Sequence, residues 1–219
     1  METLPEIDIL LRAGIFSVLL TLIILAEAVA PRRTLAIARL PRWFSNLSLG
    51  ALNILVLRLV LPFLGVSLAI VAFEKQWGVF YLLDLPNWLN IALSLLVLDL
   101  AIWAQHRLFH AVTPLWRLHR MHHTDPDFDA TTAVRFHPLE AVVSMFIKSA
   151  VVMSLGIHPL GFVIFEVLLS STSLFNHGNI TLPRQVDRLL RLVIVTPDMH
   201  RVHHSTRADE QNSNFGFNL

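Results

Sequence analysis

Eight histidines fall into three short clusters whose spacing suits metal binding. Side chains three and four residues apart share one face of a helix, so each cluster can direct at least two imidazoles toward a common point. Imidazole is a good ligand for zinc, iron, copper and nickel. We therefore predict a metal centre built from His106 and His110, from His119, His122 and His123, and from His200, His203 and His204.

The number of these histidines predicts two metal ions rather than one. A ninth histidine, His177, lies in the segment Phe-Asn-His-Gly-Asn and is a further candidate ligand, with a supporting or capping role as the alternative. Nine imidazoles exceed the four ligands that one zinc ion normally takes. The chain has no cysteine, which excludes thiolate ligands and Cys-ligated iron–sulfur clusters.

The residues beside the histidines argue against zinc peptidase chemistry. Zinc peptidases place a glutamate general base within His-Glu-x-x-His, whereas Arg107 follows His106 here. Two ions held by nitrogen ligands at a membrane surface instead suit the binding of oxygen and the oxidation of a lipid C–H bond. A zinc-binding membrane hydrolase or a metal transporter is the alternative, although a transporter should distribute ionisable residues through several spans.

The elements that must position these histidines are helices long enough to cross a membrane. Hydrophobic residues make up 54% of the 219 residues and charged residues 15%, against about 25% charged residues in soluble domains. A helical span needs about 20 apolar residues. The apolar stretches predict an all-α membrane bundle of four to five spans, near residues 9–30, 47–73, 88–104, 139–155 and 157–175.

Two of these stretches contain residues that interrupt a helix. The second contains Arg58 and Pro62, which predict a single tilted or kinked span. The last two are separated by Gly156, Ile157, His158 and Pro159, which predict a tight hairpin of two helices.

The charges predict an orientation for the bundle and exclude one class of partner. A net charge of only +1 lacks the basic excess that a nucleic-acid-binding protein needs. The basic segments 32–42, 107–135 and 184–207 follow the first span, the third span and the hairpin. If the spans cross the membrane alternately, these segments and the histidine clusters lie on one face. Because short basic loops stay in the cytoplasm, we expect an integral membrane protein whose histidine-rich cap and active site are cytoplasmic. We expect one domain over residues 1–219, with catalytic segments 105–137 and 176–219.

With these residues considered together, the chain resembles the membrane fatty acid hydroxylase superfamily, which includes sterol desaturases, sterol methyl oxidases and fatty acid hydroxylases. The resemblance rests on the order HxxxH, HxxHH and a distant HxxHH, with eight residues between His110 and His119, and it covers roughly residue 47 to the end. It implies a non-haem enzyme with two iron ions, which zinc can replace. Such an enzyme uses O2 and external electrons to hydroxylate or desaturate a fatty acyl, sterol-like or related lipid. The resemblance assigns the eight cluster histidines as metal ligands and matches His177 to an additional family histidine.

Further segments carry the same resemblance. These are Asp99, the segment from Arg135 to Glu140, and Asn214-Phe215-Gly216. Related chains usually continue beyond the last segment into a tail that contains tryptophan, whereas this sequence ends at Leu219. We expect either a shorter family tail or a chain truncated at its C-terminus.

Three polar residues are expected to support the ligands. Asp99 lies two helical turns before His106, so we expect it to accept a hydrogen bond from an imidazole, with a salt bridge to Arg58 as the alternative. Asn179 follows His177, and His137 precedes Pro138. For His137 a structural hydrogen bond at a helix start is the favoured alternative. Four aspartates beside the clusters are equally expected as helix caps or as supports, namely Asp125, Asp127, Asp129 and Asp198.

The sequence also indicates partners. It has no dinucleotide-binding fingerprint and no His-Pro-Gly-Gly haem motif, so we expect a separate reductase or small redox carrier to supply electrons. The lipid substrate should enter laterally from the membrane between the spans. Arg107, Arg120 and Arg201 lie within the clusters and could meet anionic headgroups or an acidic electron donor, although interfacial snorkelling is the simpler expectation.

Overall fold

Long apolar helices form most of the structure. The structure is a computed structural model that describes residues 4–61 and 65–218. Five of its helices are long and apolar enough to cross a membrane, which confirms the predicted all-α membrane bundle. These spans are α1 (Leu4–Val29), α2 (Arg39–Val60), α5 (Asn87–Ala111), α7 (Pro138–Leu155) and α8 (Pro159–Asn176).

Shorter helices lie at the two ends of the bundle. Two of them, α3 (Val66–Lys75) and α4 (Val79–Leu82), connect α2 to α5 at the end that carries the α7–α8 turn. The remainder follow the opposite ends of α5 and α8, where the histidines lie. They are α6 (Thr113–His123), a 3-10 helix (Ala130–Val134), α9 (Arg184–Leu190), α10 (Pro197–His203) and α11 (Ala208–Gln211).

The predicted hairpin between the last two spans is present. Helix α7 ends at Gly156, whose φ of 75° is a left-handed conformation that glycine adopts without strain. A side chain there would also lie 2.5 Å from the carbonyl oxygen of Trp77. Helix α8 begins with Pro159 in its first turn, and the His158 side chain accepts a hydrogen bond from the Leu160 amide. His158 therefore caps a helix at the end of the bundle opposite the other histidines.

The second predicted span is wrong in its bounds. Helix α2 begins at Arg39 and ends at Val60, eight residues earlier than expected at its start, and a separate helix of ten residues begins at Val66. The predicted start is too late because the polar residues Arg42 and Asn46 were expected to lie outside the helix. Both are within it and are buried in contacts with the loop after α6. Pro62, at which a kink is expected, and Leu219 lie outside the described residues.

Two apolar clusters hold the spans together. The larger cluster joins α3, α5, α7 and α8 and includes Leu98, Val152 and Phe162. The smaller cluster joins α1, the 3-10 helix and α8 through Ile23 and Leu174. Lipid tails are as apolar as these side chains, so close packing rather than removal from water holds the spans together. Both clusters thereby fix the relative positions of the helices that carry the histidines.

The C-terminal segment returns to the histidine-bearing end of α5. Asn218 donates a hydrogen bond of 2.7 Å to Asp99 on α5, and the ring of Phe217 stacks on that of His106 at 5.6 Å. Residues 212–218 therefore cover the end of the helix from which the first histidines project.

Candidate metal centre

The nine histidines converge on two groups of ring nitrogens. In each group, the ring nitrogens available for a metal lie within 4.8 Å of one another. The structure thus brings together all nine histidines that the sequence singles out, in two sets. The first cluster contains His106, His110, His119, His123 and His203, and the second contains His122, His177, His200 and His204.

Helical spacing divides each HxxHH motif between the two clusters. On α6, His119 and His123 are four residues apart and face the first cluster, whereas His122 faces the second. The motif on α10 is divided in the opposite sense, because His200 and His204 face the second cluster and His203 faces the first. The two clusters are thus adjacent and share two helices.

The protonation of two rings in the first cluster follows from their backbone contacts. The Nδ1 atoms of His106 and His203 lie 2.8 Å from the carbonyl oxygens of Phe215 and Ser213. A carbonyl oxygen only accepts, so Nδ1 carries the proton in each ring and Nε2 of the neutral ring has a lone pair. These two Nε2 atoms lie 3.0 Å apart, so two lone pairs face each other across a gap that a cation would fill.

The second cluster repeats this arrangement around His177. Its Nδ1 lies 2.7 Å from the Ser173 carbonyl oxygen, so its Nε2 also has a lone pair. Nε2 of His122 and Nε2 of His200 each lie 3.1 Å from that atom. Two nitrogens bound about 2.1 Å from one ion at adjacent positions lie about 3 Å apart, so these spacings fit a shared metal ion.

Other ring nitrogens are buried without a hydrogen-bond partner among the described residues. They include Nε2 of His110, His119, His123 and His204, together with Nδ1 of His122, His123 and His200. A buried polar atom left without a partner costs about 1–3 kcal/mol, and the concentration of these atoms in the two clusters indicates that the clusters bind a ligand. A metal ion suits these rings because each offers a lone pair on one nitrogen when it is neutral.

Burial keeps the rings neutral at physiological pH. It lowers the pKa of His177 to about 4. It also lowers the pKa of His122 and His200 well below the ordinary value, and the neighbouring imidazoles lower these values further. Neutral imidazole is the form that binds metal, so these rings can bind an ion without first losing a proton.

Glu140 is a supporting residue that the sequence did not single out for this role. Its Oε1 lies 2.6 Å from Nδ1 of His119, and both groups are buried. The carboxylate orients the ring and leaves Nε2 free to bind a metal. The sequence indicated Glu140 only through its place in the segment from Arg135 to Glu140, which resembles the family. It could not indicate the contact itself, because the two residues are 21 positions apart.

The three residues predicted to support the ligands form hydrogen bonds with segments around the clusters. Asp99 binds Asn218, which lies in the same segment as the carbonyl groups that hold His106 and His203. His137 caps α7 by accepting from the Leu139 amide, the alternative that its position favoured. Asn179 accepts from the Arg33 amide and donates to the Arg33 carbonyl oxygen.

The aspartates beside the clusters tie the loops in place. The guanidinium of Arg42 binds Asp125 at 2.8 Å and Asp129 at 2.6 Å, and all three side chains are buried. Asp129 also caps the 3-10 helix. Elsewhere Asp127 accepts from the Ile37 amide, and Asp198 pairs with Arg32 at 2.9 Å. These contacts connect α2, and the segment between α1 and α2, to the loops that carry the ligands.

Comparisons with known proteins identify relatives that modify lipids. An ornithine lipid hydroxylase of Rhizobium tropici is 28% identical over 134 residues, which cover 61% of this chain and 40% of the relative. Alkylglycerol monooxygenases of Homo sapiens and Danio rerio are 24% and 28% identical, over 63% of this chain and 30% of each relative. The chain therefore spans less than half the length of these curated relatives. No solved structure matches it at a significant level.

A family model described as fatty acid hydroxylase matches residues 91–219. This region contains all nine converging histidines and Glu140. Because the match extends over more than half of the sequence, the chain belongs to the fatty acid hydroxylase family.

Proposed function

We propose that this protein is a membrane lipid oxygenase that holds two iron ions, one in each histidine cluster. The observation that carries the proposal is the division of each HxxHH motif between two adjacent clusters whose neutral rings direct lone pairs toward common points. The ligands would be His106, His110, His119, His123 and His203 for one ion and His122, His177, His200 and His204 for the other.

The proposed reaction inserts one oxygen atom into a lipid C–H bond. The lipid, O2, two electrons and two protons give the hydroxylated lipid and one water. In desaturation, the same inputs remove two hydrogens from neighbouring carbons and give two waters. Iron, when bound, supplies O2 activation and the redox chemistry. The names of the relatives support a lipid substrate, since they are a hydroxylase of ornithine lipid and monooxygenases of alkylglycerol.

The residues of the chain orient the ligands and exclude water. The carbonyl oxygens of Ser173, Ser213 and Phe215 fix three ring orientations, and Glu140 fixes that of His119. Phe136 stacks on His122 with ring centroids 4.5 Å apart and nearly parallel planes. These contacts would limit reorganisation of the site during the reaction.

The supply of electrons and the sidedness of the site belong to the same proposal. Electrons would come from a separate reductase or small redox carrier that reaches the histidine-bearing end of the bundle. That end also carries Arg32, Arg42 and Arg135, which supports a cytoplasmic location because short basic segments stay in the cytoplasm. The lipid would enter from the membrane between the spans, whose ends carry the ligands.

Metal analysis after anaerobic purification, combined with O2 uptake, tests this function. We expect about two iron atoms per chain and O2 consumption that requires both a reductant and a lipid. Tightly held zinc, with no O2 consumption under reductant, would contradict the oxygenase and favour a zinc hydrolase. Metal flux across vesicles without lipid oxidation would favour a transporter.

A further inference from the structure

A cavity opens beside both histidine clusters at the end of the bundle that carries them. Its volume is about 1030 Å³, close to the upper end of the range for small-molecule sites. His123 of the first cluster and His204 of the second both line it, together with Arg33 and Arg201. A molecule in this cavity would therefore be in contact with ligands of both proposed ions.

Most acidic residues of the cavity wall bind a cation, whereas two arginines, Arg33 and Arg201, have no close carboxylate partner among the described residues. Asp198 binds Arg32 at 2.9 Å, and Asp125 is held by Arg42 from outside the cavity. In the described part of the chain, Arg33 forms no ion pair.

The contact of Arg201 with Asp198, at 3.9 Å, is too long for a hydrogen bond. Glu210 lies 3.5 Å from Arg207, and Asp127 accepts a backbone amide. Among the described charged residues of the cavity wall, Arg33 and Arg201 lack a close carboxylate, whereas Asp127 is the one carboxylate without a cation. The unpaired charge is therefore more positive than negative, which favours an anion.

Arg201 is mostly buried, contrary to the snorkelling expected of it. Its side chain is only 11% exposed, and its guanidinium lies 4.7 Å from the ring centroid of Phe128. Its Nε is buried and has no hydrogen-bond partner among the described residues. In contrast, Arg120, at the same position within the preceding HxxHH motif, is exposed. The Arg201 guanidinium donates one long hydrogen bond, from Nη2 to the Gly178 carbonyl oxygen at 3.4 Å. Most of its donor capacity is therefore unused, which is costly away from water unless a ligand completes it.

We propose that this cavity binds the anionic headgroup of the lipid substrate, with Arg201 and Arg33 as the groups that hold it. The proposal rests on the oxygenase function and names the substrate class. A guanidinium binds phosphate or carboxylate with two parallel hydrogen bonds, and the side chains of both arginines line the cavity. Because Arg201 lies between His200 and His203, the bound headgroup would lie beside the metal ligands.

Lipid binding by the purified, metal-loaded protein in detergent tests this site. The probes are dioleoylphosphatidic acid, zwitterionic dioleoylphosphatidylcholine and inorganic phosphate, with affinity measured by fluorescence or calorimetry. We expect the wild type to bind phosphatidic acid roughly tenfold more tightly than phosphatidylcholine. Arg201→Gln should abolish this preference, and Arg33→Gln should weaken it. The matched control Arg120→Gln should retain it.

Other results would overturn the assignment. Equal preference in the wild type and in both variants would show that the cavity does not select anions. Inorganic phosphate that binds as tightly as phosphatidic acid would make the ligand a free anion rather than a lipid. If Arg201→Gln keeps the lipid preference but slows reduction by an acidic electron carrier, the cavity serves a protein partner.

Metal content measured on the same samples separates the two proposals. Equal metal in all variants shows that a loss of lipid binding is not a loss of folding. Lipid binding requires no turnover, so a protein that holds zinc and consumes no O2 would refute the oxygenase and still report on the cavity.

Discussion

His122 and His123 are adjacent in the chain, yet their imidazoles belong to different clusters. Successive residues on a helix point about 100° apart, so the two side chains leave α6 in different directions. His204 and His203 on α10 show the reverse assignment, with His204 in the cluster of His122 and His203 in that of His123. The two clusters are thus built across the same pair of helices.

Alanine at either of these neighbours should affect one metal site more than the other. We expect His122→Ala to weaken metal binding by the second cluster and His123→Ala that by the first, since each change removes a ligand from one set only. Both variants should fall from about two metal ions per chain toward one, measured by elemental analysis after anaerobic loading. His158→Ala, at the opposite end of the bundle, is the control and should keep full metal content. Full loading of His122→Ala would refute the ligand role of His122.

Glu140 should control the metal affinity of the first cluster through His119. Loss of a carboxylate that orients a ligand imidazole typically costs 10–100-fold in metal affinity. We therefore expect Glu140→Gln to lower the affinity of one site by about that factor, measured by competition with a chelator. Glu74, which is exposed on α3, supplies the control variant Glu74→Gln. An unchanged affinity in Glu140→Gln would mean that the contact of 2.6 Å does not position the ligand.

Arg42 should be needed for stability of the histidine-bearing end. Replacing it with methionine leaves Asp125 and Asp129 buried without their cation. Breaking a buried ion pair in this way costs about 3–5 kcal/mol, so we expect a large drop in the thermal unfolding midpoint in detergent. Arg188→Met, at an exposed position on α9, should change stability by no more than about 0.5 kcal/mol. Equal midpoints for the two variants would contradict this role.

The metal-free protein should lose stability as the pH falls below about 6.5. Unfolded histidines titrate near pH 6.5, whereas burial lowers the pKa of folded His177 to about 4. Between these values the unfolded state binds more protons, so the free energy of unfolding rises with pH and this gain is complete above 6.5. Thermal unfolding from pH 4.5 to 7.5 checks the sign.

The same low pKa values predict little proton release when metal binds at pH 7. The rings of His122, His177 and His200 are already neutral there. Calorimetry in buffers of different ionisation enthalpy should therefore give well under one proton released per ion. Release of one or more protons would mean that these rings are charged in the unloaded protein.

The ion pair between Lys148 and Glu166 should be tested by single and double substitution. Their side chains meet at 2.6 Å inside the bundle, and Arg12 binds the other oxygen of Glu166 at 2.7 Å. We expect Glu166→Leu to destabilise by about 3–5 kcal/mol, because it leaves the buried Lys148 unpaired, whereas Arg12 keeps its contact with Asp8. Adding Lys148→Met should recover part of that loss in unfolding assays. A double variant less stable than Glu166→Leu alone would argue against unpaired charge as the cause.

Much of the fold was readable from local patterns. The length and polarity of each apolar run predict the spans, and Gly156 with Pro159 predicts the hairpin, because both signals act within a few residues. The predicted bounds of the second span were wrong because hydropathy cannot distinguish an exposed arginine from a buried one. Arg42 is buried against two carboxylates that are 83 and 87 residues away in the chain.

The sequence by itself determined which histidines form the candidate site, since helical spacing places imidazoles three and four residues apart on one face. Only the tertiary structure decided how each motif is shared, which Nε2 atoms meet, and that Glu140 supports His119. It also decided that Arg201 is mostly buried beside a cavity while Arg120 is exposed. The physical reason is that spacing is set within one helix, whereas these contacts depend on how helices distant in the chain pack together.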